Sequence, residues 1–121
     1  MRIGALARHT GVSERMLRYY EQEGLLQPTR TESGYRDYRE AEIQAAGRIR
    51  MLSASGLKLE TIRVLLPCMF GEQPRFKPCN AVRAALRREV ERLDSKLRDL
   101  GESRQLVASY LEGLATDSTT L

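Results

Sequence analysis

The sequence predicts a mainly α-helical chain: a small helical head carrying one β-hairpin, followed by a single long coiled-coil helix. Three observations predict it. Residues 1–66 hold short apolar stripes at three- and four-residue spacing, punctuated by Gly11, Gly24 and Gly56. Within that stretch TRTESGYRDYRE, residues 29–40, alternates aromatic with charged residues around a Ser33-Gly34 turn signal, as a short exposed hairpin does. From Cys79 onward a seven-residue apolar repeat runs without a proline as far as Leu114. The expected organisation is a head at 1–66, a Pro-rich linker loop at 67–78, a coiled-coil helix at 79–114 and a flexible tail at 115–121.

In the first predicted helix Ile3, Leu6 and Ala7 share a face, and Gly11 stands where a sharp turn needs positive φ, with Val12 to plug the angle between two helices. The next stretch, SERMLRYYEQEG at 13–24, is the one the head is organised around. Ser13 is suited to cap a helix through its hydroxyl, and Gly24 to end it in the left-handed conformation. Met16, Leu17 and Tyr20 form the stripe expected to be buried. Arg15 and Arg18, followed by Tyr19, lie on adjoining parts of one turn. This is the pattern of a helix-turn-helix with a DNA-reading second helix; two packed helices with no nucleic-acid partner would show the same stripes.

After this helix Leu25 and Leu26 read as extended apolar chain, and Pro28 stops any helix. The hairpin at 29–40 reads as a wing that sets Arg30 and Arg36 over neighbouring phosphates. Of Tyr35 and Tyr38, one ring is expected to pack the hairpin on the helices and the other to face DNA. Residues 40–55 predict a third helix with Ile43, Ala46, Ile49 and Leu52 or Ser53 on one face, closed by Gly56 and with an acidic start that suits the helix dipole. A fourth, from about Leu59 to Leu66, buries Leu59, Ile62, Leu65 and Leu66. Residues 67–78 hold three of the four prolines, which excludes regular helix.

The long helix is expected to begin at Cys79 with Asn80 as its cap. With Cys79 at a d position, Leu86, Leu93, Leu100, Val107 and Leu114 are the following d residues, while Val90, Leu97 and Leu111 fall at a. A rod of roughly 50 Å, at about 1.5 Å per residue, is longer than a head this small needs for its own core. A second copy of the chain is the economical partner, because most soluble oligomers are twofold homodimers; a helix folded back on its own head is the alternative. Arg83 and Arg104 at a positions, and Gly101 as an interruption of the helix, would break the seam.

Composition narrows the function. The 121 residues amount to one domain's worth of chain, with formal charge +4, which favours an anionic partner. Of the 20 basic residues all but Lys58, Lys77 and Lys96 are arginine, the side chain whose planar fork suits phosphates and base edges; an arginine-favouring codon usage gives the same bias. No run of 18 apolar residues suggests a membrane span, and MRIGALARHT lacks a signal-peptide core, so a cytoplasmic protein is expected. An enzyme is not: His9 has no nucleophile near it in sequence, and no phosphate-cradling glycine loop appears.

With these parts in order, the resemblance can be named. The motifs GVSxRxLRYYExxGLL, SGYRxY and SGLxLExIxxLL, spread over residues 3 to about 66, resemble the MerR family of bacterial transcription regulators. The resemblance implies a homodimer joined through an antiparallel coiled coil, each winged head in one major groove of a near-palindromic promoter. It implies further that bending and untwisting of an overlong spacer controls transcription, so that RNA polymerase is engaged through the DNA. Carried over by position, Arg15 and Arg18 meet bases or phosphates, one ring of Tyr19 and Tyr20 contacts the backbone while the other is core, and Arg30, Tyr35, Arg36 and Tyr38 clamp phosphates. Leu86, Val90, Leu93, Leu97, Leu100, Val107 and Leu111 make the dimer seam. Lys58 and Arg39 depart from the family by standing where a capping residue often precedes a helix.

The signal is less legible. Cys79 matches the position at the start of the dimer helix where metal-sensing members place a cysteine, but 114–121 contains none of the further cysteines or histidines they need, and no cofactor is expected. Two thiols fall short of a tetrahedral zinc set, although a two-coordinate soft ion or a donor from a second subunit would be compatible. Cys68 and Cys79 flank ten residues and could close as a disulfide if their Cα atoms come within about 7 Å. Small core thiols, a redox or electrophile switch, a metal site and a small apolar pocket at Met69, Phe70 and Phe76 all stay open. So do a thiol oxidoreductase, a coiled-coil adapter without DNA affinity, and an architectural or excision-type DNA binder without promoter activation.

Overall fold

The computed structural model describes residues 1–72 and 75–117. It falls into two compact units, 1–85 and 86–121. The first is a mainly helical head. Helix α1 (Ile3–Thr10) and helix α2 (Glu14–Gln22) form the helix-turn-helix, and strands β1 (Thr29–Arg30) and β2 (Arg36–Asp37) the wing. Helix α3 (Glu40–Ala54) and helix α4 (Leu59–Leu65) pack beneath them.

The turn between α1 and α2 is held at three points. Gly11 takes φ +75°, the left-handed conformation that favours glycine, and a Cβ there would press on the Arg50 guanidinium at 3.1 Å. Thr10, which carried no signal in the sequence, is buried. Its hydroxyl donates to the Leu6 carbonyl at 2.8 Å and accepts the Val12 N–H at 3.2 Å. Ser13 then caps α2, accepting the Met16 N–H at 3.2 Å.

Leu6, Val12, Leu17, Tyr20, Leu26, Ala46, Ile49, Leu52, Ile62 and Leu65 form the core, as the stripes predict. Ile43, Leu59 and Leu66 are half-buried at its margin. Met16 departs from expectation by being exposed: it lies one position before Leu17, about 100° around the helix, and falls on the outer face. Neither Arg39 nor Lys58 supplies a side-chain cap, consistent with their being poor capping residues. Arg63 from α4 serves the other end of α2, donating to the Glu23 carbonyl at 2.5 Å and to its carboxylate at 3.2 Å.

The predicted linker at 67–78 holds more structure than a loop. A 3₁₀ turn (Leu66–Cys68) leads into strands β3 (Met69–Phe70) and β4 (Arg75–Phe76), a second antiparallel hairpin with Met69 opposite Phe76. Arg48 of α3 fixes it by donating to the carbonyls of Met69 and Gly71 at 3.3 and 3.2 Å. The prolines at 67 and 78 flank the strands, where a missing N–H removes no ladder bond.

Helix α5 (Asn80–Asp117) is continuous. Three expectations about it need correction. Its cap is Cys79 rather than Asn80: the Cys79 carbonyl accepts the Arg83 N–H at 3.0 Å, and its sulfur accepts the Val82 N–H at 3.4 Å. Gly101 does not interrupt it, because a cost of about 1 kcal/mol is small beside the cooperativity of a 38-residue helix. The helix also runs past 114 into the expected tail, whose residues 118–121 lie outside those described. Val82 and Ala85, at its start, are buried in the first unit. In the second unit Leu86 is half-buried, whereas Val90, Leu93, Leu97, Leu100, Val107, Leu111 and Leu114 are exposed.

Candidate nucleic-acid interface

The outer face of α2 is set by what its inner face buries. Leu17 and Tyr20 go into the core, so Arg15, Arg18 and Tyr19 stand outward beside Met16. Capping by Ser13 fixes the amino-terminal turn that carries Arg15.

The wing is registered against this face. Thr29 pairs with Asp37 and Arg30 with Arg36. At its tip the Thr31 N–H donates to the Tyr35 carbonyl at 2.8 Å, and Gly34, at φ +84°, makes the reversal. Two arginines opposite each other on a ladder repel. Glu21, from the last turns of α2, resolves this by accepting from Arg36 Nε and lying 3.5 Å from Arg30. The hydrogen bond to Glu21 raises the Arg36 guanidinium further above its ordinary value. One carboxylate thus ties the wing to the reading helix. Sequence reasoning missed Glu21, although it belongs to the quoted YYE run and its sign opposes the surrounding arginines.

The amino terminus adds two contacts the sequence did not suggest. The Arg2 guanidinium lies over the Tyr35 ring, 4.6 Å from its centroid. The Met1 ammonium donates to Asp37 at 3.0 Å and to the Tyr38 carbonyl at 2.9 Å, and this hydrogen bond, more than the accompanying charge attraction, holds the Asp37 carboxyl below its usual range. As a result Arg2, Arg18, Arg30 and Arg36 line one concavity of about 400 Å³, together with Ile3, Gly34 and Tyr35. Four arginines on one hollow, two of them shared with Glu21, leave a net positive surface beside the exposed face of α2.

Two tyrosines carried over as DNA contacts are the packing members of their pairs, as one ring of each pair was expected to be. Tyr38 is wholly buried; its hydroxyl has no hydrogen-bond partner among the described residues, and burial first, then Glu21, pushes its pKa up. It is the ring that packs the wing on the helices. Tyr20 is core as well, 6% exposed, and of the aromatic pair only Tyr19, 41% exposed, faces outward. Tyr35, at 61%, is the wing tyrosine that stays open to solvent.

Comparison with known proteins agrees with this geometry. Residues 1–67 match the family model described as MerR HTH family regulatory protein. The chain is 32% identical over 114 residues to the HTH-type transcriptional regulator HmrR of Sinorhizobium medicae, spanning 93% of this chain and 78% of that protein. It is 31% identical over 114 residues to the heavy metal-dependent transcription regulator 2 of Rhizobium meliloti, with the same coverage. Among solved structures, the transcription regulator PbrR691 from Ralstonia metallidurans CH34 in complex with lead(II) superposes with a TM-score of 0.70 at 32% identity, covering 88% of this chain and 83% of that one. These relatives and this fold are those of transcription regulators, not enzymes. A helix-turn-helix with its wing tied to the reading helix, in a chain that matches the family model over more than half its length, belongs to the MerR family of transcriptional regulators.

Proposed function

We propose that the chain acts as a homodimer that binds a near-palindromic promoter site and distorts its spacer to control transcription. The observation that carries the reading is the convergence of Arg2, Arg18, Arg30 and Arg36 on one hollow beside the exposed face of α2. In this reading Arg15 and Arg18 meet bases or the adjoining backbone, Arg30, Arg36 and Tyr35 clamp phosphates, and Tyr19 contacts the backbone from the helix. The exposed row Val90, Leu93, Leu97, Leu100, Val107 and Leu111 supports the dimer, since a second copy of the same helix would take each of them out of water.

Two readers joined by one rod engage both half-sites only if the duplex adjusts, and binding free energy then goes into bending and untwisting. RNA polymerase is affected through the DNA, without a contact on this chain. Footprinting on the chain's own promoter tests the proposal. The expected result is a two-half-site footprint with hypersensitive bonds between them and a steep fall in affinity with salt, as counterion release requires. A footprint confined to one half-site would overturn the dimer.

Heavy-metal dependence belongs to the relatives' names and is not carried over to this chain. Among the described residues no three His, Cys, Asp or Glu side chains converge, and the Cys68 and Cys79 pair alone suits nothing beyond a two-coordinate soft ion.

A further inference from the structure

The second hairpin and the start of α5 place Cys68 one step past the β3–β4 ladder and Cys79 at the helix cap, both in the first unit. The Lys77 N–H donates to the Cys68 carbonyl at 2.8 Å, so the ladder that pairs Met69 with Phe76 continues to Cys68, and Cys79 follows two residues after Lys77. Each end is pinned. Arg48 holds the carbonyl of Met69 beside Cys68, and the capping bonds to Arg83 and Val82 hold Cys79. Both cysteines are free thiols.

We propose that Cys68 and Cys79 form a reversible dithiol-to-disulfide switch, closed by peroxide-class oxidants, that alters how the long helix begins. Cys79 is exposed and Cys68 half-buried, so the oxidant meets Cys79 first. Burial, then the charge and hydrogen-bond interactions with Cys79, push the Cys68 thiol above its ordinary value, which suits it to the role of resolving partner. The Cys79 sulfur attacks one peroxide oxygen, the O–O bond breaks, and the proton lost from that thiol goes to the departing hydroxide, which leaves as water. The sulfenic acid formed is attacked by the Cys68 sulfur; the S–S bond forms, the S–O bond breaks, and a second water leaves with the remaining thiol proton. The two sulfurs lose two electrons, and the peroxide is reduced to two waters. A bridged sulfur is a poorer acceptor, so closure takes the cap from the Val82 N–H and loosens the first turn of α5. The chemistry does not depend on the DNA reading proposed above.

The test uses the full chain, reduced and then treated with stoichiometric hydrogen peroxide, followed by alkylation under denaturing conditions and intact-mass and peptide analysis. The expected product has lost two hydrogens, alkylates at neither cysteine, contains a Cys68-to-Cys79 crosslink within one chain, and regains both thiols with dithiothreitol. The Cys68→Ser variant stops at a Cys79 sulfenic acid that dimedone traps, while in Cys79→Ser the Cys68 thiol survives the same dose. Amide exchange at Val82 quickens on oxidation. Two alkylatable thiols after treatment, over-oxidised Cys79 without a bridge, a bridge between two chains, or thiols protected only until a bound soft metal is chelated would each overturn the switch. Promoter affinity of the reduced chain, measured in parallel, reports on the DNA reading separately.

Discussion

Leucine meets opposite fates in the two units. In the head Leu6, Leu17 and Leu65 are completely buried, whereas in the second unit Leu97, Leu100 and Leu111 are 68–69% exposed. The residue type and the helical spacing are the same. The head has four helices and a wing whose stripes cover one another, while among the described residues the second unit is a single stretch of α5 with nothing of its own to close on. A fully buried leucine contributes about 1.5–3 kcal/mol relative to an exposed one. The head collects that stabilisation within one chain, and in the proposed dimer the long helix gains it from a second.

That contrast can be broken first at the rod. Leu97→Asp places a charge in the proposed seam and is expected to weaken the dimer by more than about 100-fold, about 3 kcal/mol, leaving the head folded. Sedimentation velocity reads this directly, and a wild-type chain that is already monomeric at micromolar concentration would remove the contrast. Leu17→Ala should act in the opposite unit, lowering unfolding stability by about 2–5 kcal/mol in a thermal melt. Arg18→Ala belongs to neither core: promoter affinity should drop by about 1–3 kcal/mol with the melting temperature and the dimer unchanged. If the melting temperature fell with it, Arg18 would be a packing residue.

Smaller effects sharpen the picture of the wing. Tyr38→Phe removes a buried hydroxyl that has no partner among the described residues, so stability should shift by less than about 1 kcal/mol in either direction and promoter affinity should not change. A marked affinity loss would restore Tyr38 to the DNA contacts. Glu21→Gln should free Arg30 and Arg36 and soften the wing, by up to about 1 kcal/mol for such partly exposed pairs. Asp37 gives the mildest signature. Its carboxyl is held below the usual value by the Met1 ammonium, so its contribution is complete above the unfolded-state pKa of about 3.9 and fades as pH falls through the lower folded value. Asp37→Asn should flatten that part of an acid-unfolding curve.

Much of this molecule was legible because its signals are local. The Ser13 cap, the positive φ at Gly11 and Gly24, and the stripes of α1 to α4 depend on neighbours three or four residues away. The hairpin followed from the Ser33-Gly34 turn, whereas its register, Arg30 opposite Arg36, came with the structure. What stayed hidden depends on residues far apart in sequence. Glu21 reaches the wing across 15 residues, Met1 reaches Tyr38 across 37, and Arg63 closes α2 across 40. The second hairpin escaped notice because prolines flanking strands read the same as prolines in a loop. The Cys79 cap was passed over because sulfur is a weak acceptor and Asn80 the stronger capping residue by type.

By itself the sequence determined the helices, the turn glycines, the family and the surplus of arginine over other cations, since periodicity, caps and charge are properties of the chain before it folds. Only the tertiary structure decided that Tyr38 is core while Tyr35 is open, that Glu21 belongs to the arginine cluster, and that Cys68 stands opposite Lys77, two residues before Cys79. Burial and pairing are fixed by which surfaces meet, and a linear pattern of residue types does not contain that information until the elements have packed.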